Sequence, residues 1–221
     1  MTNIANNLAL IQRRITLACL ACHREPNSVQ LLAVSKTKPA VSIKAAYTAG
    51  QRDFGENYLQ EALEKQQQLK DLDINWHFIG PIQSNKTRAI AENFNWAHSV
   101  DRFKIAQRLN DQRPKHLTPI NMCIQVNIDN EATKSGVSLL ELPQLLEDIH
   151  KLPNIRLRGL MAIPSVTNDH QHSQCSFTKL AQALPNDLDT LSMGMSGDLE
   201  AAIAAGSTIV RVGTDIFGAR E

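Results

Sequence analysis

The chain has 221 residues, 43% of them hydrophobic and 20% charged, which are the values of a globular protein and exclude a mostly disordered one. Its 23 Lys and Arg against 22 Asp and Glu leave a net charge of +1, too little for the basic field that grips nucleic acid or an anionic membrane. The apolar runs are too short for a membrane span, and Met1 to Arg14 is polar and amphipathic, unlike a signal peptide; a cytoplasmic protein is expected.

Ile4, Leu8, Ile11 and Ile15 recur on one helical face. Cys19 and Cys22 follow as a CxxC, but no second ligand pair accompanies them, so they read as small apolar helix residues. Gln30–Ser35 is a short apolar strand. Pro39 opens a second helix and Gly50 closes it. Arg52–Gly55 is a second strand, and Leu59, Ala62, Leu63, Gln66 and Leu69 mark the helix after it. Trp76–Ile79 is a third strand, with a helix expected from Ser84–Asn85; Gln83, Ser84 and Asn85 are either lid contacts or helix caps. Trp96–Ser99 is a fourth strand, and Asp101 is the expected N-cap of a helix around Phe103, Ala106 and Leu109.

The rhythm continues with strand Met122–Asn127 and a helix opened by a Ser138/Glu141 capping box. Leu157–Ala162 is a sixth strand. The polar stretch Ser165 to Ser176 after it reads as a mobile loop, and its His170 and His172 have no third ligand nearby for a metal. Phe177, Leu180, Ala181 and Leu184 mark a helix, and Thr190–Met193 a seventh strand. Ser196 is the expected cap of the helix that Gly206 ends, and Thr208–Val212 is an eighth strand. Eight strands alternating with helices predict a (β/α)8 TIM barrel formed as a single domain over 1–221. An open doubly wound sheet also alternates, but its glycine-rich fingerprint after the first strand is absent.

A barrel works at the loops that follow its strands. Lys36 sits just past the first strand, where it is either a partly desolvated amine able to attack carbonyls or an ordinary solvated strand-end lysine. The loops after strands seven and eight offer Ser192, Ser196, Gly213 and Thr214, hydroxyls and close backbone that suit a phosphate. Arg211 either points into the mouth beside them or lies on the strand surface. A carbonyl-reactive lysine facing a phosphate cup matches pyridoxal 5′-phosphate; a barrel aldolase acting on a sugar phosphate without a cofactor matches almost as well.

The segments LLAVSKTKP (31–39), FGENYLQEALEK (54–65), WHFIGPIQSNKTR (76–88), QVNID…KSG (125–136), RGLMAIP (158–164), LSMGMSGDLEAAIAAGST (191–208) and VRVGTDIFGAR (210–220) occur in order along the whole chain. Together they resemble the YggS/PROSC-type pyridoxal phosphate homeostasis proteins. The resemblance implies a barrel like the N-terminal domain of alanine racemase, with pyridoxal phosphate joined to Lys36 as an aldimine. It implies that Ser196, Gly213 and Thr214 hold the phosphate, that Ser192 and Met193 line the ring pocket, that Asn57 lies near the attachment point, and that Arg211 faces the pyridine nitrogen. The chain departs from the family at Gly197, at Asp215, and after Pro164, where the stretch is shorter and more polar.

An arginine at the ring nitrogen donates a hydrogen bond but does not hand over a proton, which leaves the ring a poor electron sink. The chain ends eight residues after Gly213, so the extra domain that brings alanine racemases their second base is not expected. The expectation is a non-enzymatic holder that buffers or delivers pyridoxal phosphate, with apo pyridoxal-dependent enzymes as implied recipients and no metal. The alternative is a small pyridoxal-dependent racemase or lyase. No interface patch stands out, so a monomer is expected.

Overall fold

The computed structural model describes residues 3–131, 133–165 and 170–219. The first helix, α1 (Ile4–Ala21), buries the face carrying Leu8, Ile11, Ile15 and Cys19, as its apolar spacing predicts. Strands and helices then alternate: β1 (Gln30–Val34), α2 (Ala40–Thr48), β2 (Asp53–Glu56), α3 (Leu59–Gln68), β3 (Asn75–Phe78), α4 (Thr87–Asn93), β4 (Trp96–Val100) and α5 (Phe103–Gln112). The second half follows with β5 (Ile120–Gln125), α6 (Leu142–His150), β6 (Ile155–Met161), α7 (His170–Gln182), β7 (Thr190–Ser192), α8 (Leu199–Ala204), β8 (Ile209–Val212) and α9 (Thr214–Phe217). All eight strands pair in parallel and in chain order, and β8 returns to β1 to close a barrel. The fold class predicted from the alternation is therefore the observed one.

The strand boundaries differ from the predicted ones by one or two residues. Three local readings need correction. Asp101 does not cap α5: Arg102 holds the cap position, and the Asp101 carboxylate pairs with Arg102 instead. Ser196 does not cap α8, because Asp198 occupies that position and turns its Oδ1 to the Met195 N–H, 2.6 Å away. The stretch 165–176 is not all loop, since α7 already begins at His170; residues 166–169 and the side chains of His170 and His172 lie outside the described residues. The Ser138/Glu141 box does form, with reciprocal N–H bonds of 3.2 and 3.3 Å.

Inward and outward positions alternate along each strand, which divides the buried residues into two bodies. Outside the barrel wall, between strands and helices, lies a continuous apolar layer that includes Phe54, Phe78, Phe94, Ile105, Phe177 and Leu180. Inside it, a much smaller apolar cluster joins Leu32, Trp96, Cys123, Met161 and Ile209. The rest of the lumen is polar: Asp53, His77, His98, Ser192 and Arg211 share the inward parity. Among the described residues, no helix is long and apolar enough to cross a membrane.

Candidate functional site

A cavity of about 310 Å³ opens at the C-terminal end of the barrel. Lys36 reaches it because it continues the inward parity of Leu32 and Val34 two residues past β1. Asn57 enters after β2 and Ile79 after β3; Met161 and Ile163 come from the β6 end, and Met195, Ser196 and Gly197 from the β7–α8 loop. Arg211 rises from β8, and Gly213 and Thr214 close the ring at the start of α9. Of the sequence-predicted residues, the cavity thus brings together Lys36, Asn57, Ser196, Arg211, Gly213 and Thr214.

Ser192 and Met193 are not among the lining residues. Met193 is fully buried in the outer apolar layer, and the Ser192 hydroxyl lies in the lumen, occupied by His98 and Arg211. Met195 takes the lining position instead. The turn residue Ser84 serves α4 rather than the cavity: its carbonyl accepts from Thr87 Oγ1 and from Arg108 Nε. Asn127 braces its own loop through Glu131 and Lys134.

Two glycines permit the close approaches that shape the mouth. A Cβ on Gly80 would lie 2.2 Å from the Asn57 carbonyl oxygen, so only glycine lets the β3 loop press Asn57 into place. Gly194 has φ of 93°, and a Cβ there would lie 2.5 Å from that of Ala202, which seats the β7–α8 loop on α8.

The residues fit a phosphorylated carbonyl compound. Asn57 lines the cavity, and its Oδ1 is buried with no hydrogen-bond partner, so the side chain offers an acceptor that a donor such as a ring hydroxyl would satisfy. Ser196 and Thr214, beside Gly197 and Gly213, form a neutral rim, and α9 begins at Thr214 within it. On the floor, Arg211 is 5% exposed, and its guanidinium donates to the Ser192 carbonyl at 2.5 Å, to Ser192 Oγ at 3.0 Å and to the Ala162 carbonyl at 3.0 Å. Burial lowers its pKa to about 10, which still leaves it charged at neutral pH.

Two supports were not anticipated from sequence. Lys65, on α3, is buried and donates to Glu56 Oε1 and to the Ser35 carbonyl, both at 2.8 Å, and pairs with Glu61 at 2.5 Å. Glu61 in turn accepts the N–H of Thr37, a non-glycine residue at φ of 63°. This network grips the residues on either side of Lys36. Burial raises the Glu56 pKa, against the opposing pull of Lys65. Lys65 reads in sequence as one polar residue of an amphipathic helix, and only the packing of α3 on β2 reveals its inward tilt. Arg14 of α1 is the second: it binds the Ser196 carbonyl, Glu200 and Asp215, and so ties together the two loops of the rim.

The family model described as alanine racemase, N-terminal domain, matches residues 2–221. A pyridoxal phosphate homeostasis protein of Pseudomonas aeruginosa is 59% identical over 100% of this chain and 97% of its own length; one of Escherichia coli K12 is 51% identical over 100% and 98%. PipY of Synechococcus elongatus, solved with pyridoxal phosphate bound, is 38% identical, covers 97% of this chain and 100% of its own, and superposes with a TM-score of 0.87. An alanine racemase of Clostridium difficile shares the fold alone, at 13% identity and a TM-score of 0.76 over 97% of this chain and 56% of its own. The chain therefore belongs to the alanine racemase N-terminal domain family and, within it, to the pyridoxal phosphate homeostasis proteins.

Proposed function

We propose that this chain is a pyridoxal 5′-phosphate-binding protein that carries the cofactor covalently on Lys36, buffers or delivers it, and so maintains vitamin B6 and amino-acid balance without turnover of its own. The observation that carries the reading is one cavity in which a strand-end lysine faces a rim of hydroxyls and glycines over a buried arginine. When bound, pyridoxal phosphate supplies an aldehyde for an amine and a ring that stores electrons. Lys36 Nζ is the amine; Ser196, Gly213 and Thr214 take the phosphate by hydroxyl and backbone N–H; Asn57 Oδ1 accepts from the ring hydroxyl. Arg211, charged and donor-only, meets the ring nitrogen without protonating it, which restrains the electron sink that turnover needs.

The carrier reading has further support in the proton-exchanging groups. Among the described residues lining the cavity, Lys36 and Arg211 are the ionisable ones, and a guanidinium is no base at neutral pH. Racemisation needs two opposed bases, so one lysine protonates one face. The recipients would be apo pyridoxal-dependent enzymes inside the cell, approached through the open end of the barrel.

The test is covalent mapping. Borohydride treatment of the cofactor-loaded protein should place the tag on Lys36. Lys36→Ala should abolish attachment and visible absorption. Lys38→Ala should keep both, because Lys38 Nζ turns away to the Ala219 carbonyl, 2.6 Å off. A tag on Lys38, Lys86 or Lys134 would end the assignment. Steady racemase or decarboxylase turnover on a panel of amino acids, lost in Lys36→Ala, would replace the carrier with the enzyme alternative.

A further inference from the structure

The lumen contains an unbroken hydrogen-bonded chain from the cavity floor to the opposite end of the barrel. Arg211 Nη1 lies 3.0 Å from Ser192 Oγ, and Ser192 Oγ lies 2.9 Å from His98 Nδ1. His98 Nε2 lies 2.9 Å from His77 Nδ1, and His77 Nε2 lies 3.2 Å from Asp53 Oδ1. The five residues come from β8, β7, β4, β3 and β2, and Asp53 is the first residue of its strand, at the end of the barrel remote from Lys36. Trp96 clamps the middle: its ring stacks on His77 at 5.3 Å and 7°, and lies 5.5 Å from His98.

The donor sense of this chain is determined by its ends. The Asp53 carboxylate as an ion only accepts, so a neutral His77 carries its proton on Nε2 and leaves Nδ1 bare. That bare nitrogen receives the His98 Nε2 proton, which leaves His98 Nδ1 bare in turn. By the same step Ser192 Oγ gives its O–H to His98 Nδ1, while it accepts from Arg211, a guanidinium that only donates. Each link admits one arrangement while both imidazoles stay neutral, and full burial of both rings holds them so.

The geometry points to Asp53, His77, His98 and Ser192 as positioning residues of the cofactor site, a chain of single donor sense that orients the Arg211 guanidinium toward the ring nitrogen. This rests on the assignment of the cavity to pyridoxal phosphate. It extends that assignment by giving Arg211 a preset direction, built before any ligand arrives. A lumen that merely satisfied its own polar groups would have no effect on the ligand. A positioning chain transmits a change at Ser192 or Asp53 to the guanidinium and, through it, to the bound ring.

Nitrogen NMR of the cofactor-free protein reads the chain directly. Both imidazoles should be neutral with the proton on Nε2, and the Arg211 side-chain N–H groups should exchange slowly. Ser192→Ala should release His98 to a mixture of tautomers and speed Arg211 exchange about tenfold, as expected for a lost hydrogen bond to a charged group. Asp53→Asn keeps an acceptor for His77 and should preserve the parent tautomers, whereas Asp53→Ala should lose them. In the loaded protein, Ser192→Ala should shift the visible band and weaken retention several-fold, with the borohydride tag still on Lys36. A proton on Nδ1 of either histidine in the parent, or unchanged tautomers and exchange in Ser192→Ala, would overturn the inference. So would identical behaviour of Asp53→Asn and Asp53→Ala, which carry the test by themselves if Ser192→Ala does not fold. The NMR arms need no ligand, so failure of pyridoxal phosphate to attach at Lys36 would refute the site assignment separately.

Discussion

The barrel wall separates two interiors that are built on opposite principles. The outer one, between strands and helices, is a broad apolar layer in which Phe54, Phe78, Phe94 and Phe177 are nearly or fully buried. Among the described residues, the inner one has five buried apolar residues around a polar string of two histidines, an arginine, a serine and a carboxylate. The outer layer stabilises through area removed from water, which is non-directional and tolerant of apolar exchange. The inner one is held by directional bonds that are satisfied as a set or left costly. Stability is concentrated in the first and specificity in the second, so changes to each should produce different failures.

The largest effect on stability is expected in the outer layer. Phe177→Ala removes a fully buried ring and should cost about 3–5 kcal/mol. Denaturant melts should record that loss, while the visible band of cofactor retained by the folded fraction stays where it was. A shifted band in Phe177→Ala would mean that the two interiors are not separate.

Acid should act on the inner one. Burial first, and then the neighbouring charges, hold the pKa of His98 well below its ordinary value; burial lowers that of His77 against the opposing pull of Asp53. Both rings therefore resist a proton that the unfolded chain accepts near pH 6.5, so their contribution is full above that pH and lost as pH falls below it. Two such groups give a slope of up to about 2.7 kcal/mol per pH unit. Glu56 works against them: its raised pKa makes the folded state the better proton acceptor above pH 4.5, which offsets about half of that slope at most. Stability should thus decline between pH 6.5 and 4.5, and a His77→Gln, His98→Gln double variant should flatten the decline. An equal slope in that variant would assign the acid sensitivity elsewhere.

How far each interior was legible in the sequence follows from the same contrast. The outer layer repeats every 3.6 residues on helices and every second residue on strands, so α1, the eight strands and the barrel closure could be read from spacing. The inner one leaves no such trace. His77 stands between Trp76 and Phe78 on the opposite face, whereas His98 shares its face with Trp96, and four- or five-residue strands are too short for alternation to say which face meets the axis. His77 and His98 passed as ordinary strand residues for that reason. Ser192, read from sequence as a ring contact, has its hydroxyl engaged one layer below the cavity. Ser196, Gly213 and Thr214 were more accessible, because strand ends in a barrel address a single face. Lys36 and Arg211 reached the cavity by parity, which the sequence left open for each.

The rim of the cavity tests the boundary between the interiors and the ligand. Thr214→Ala and Ser196→Ala should each weaken cofactor retention by about 1–3 kcal/mol, the range for hydrogen bonds to a charged group. Neither should alter the histidine tautomers. Pyridoxal lacking the phosphate should bind far more weakly than the phosphorylated form, and equal affinity for the two would remove the phosphate role from this rim.

The smallest effect is expected at Arg14, which belongs to neither interior. Its guanidinium lies behind the rim, 2.9 Å from Glu200, 3.1 Å from Asp215 and 3.1 Å from the Ser196 carbonyl. The side chain is 36% exposed, so water and salt screen these ion pairs, and Arg14→Ala should cost the fold less than about 1 kcal/mol. Its consequence lies in registration: Ser196 and the first turn of α9 come from separate loops, and Arg14 is a side chain that binds both. Removing it should therefore weaken the phosphorylated ligand a few-fold while leaving pyridoxal itself unaffected, and raised salt should bring the parent toward the variant. Arg14→Lys keeps the charge but radiates its three N–H donors from one nitrogen instead of a planar fork, and should fall between. A loss of equal size for pyridoxal with and without phosphate would show that Arg14 supports the barrel generally, and the rim would then owe its shape to Gly194 and the α8 packing alone.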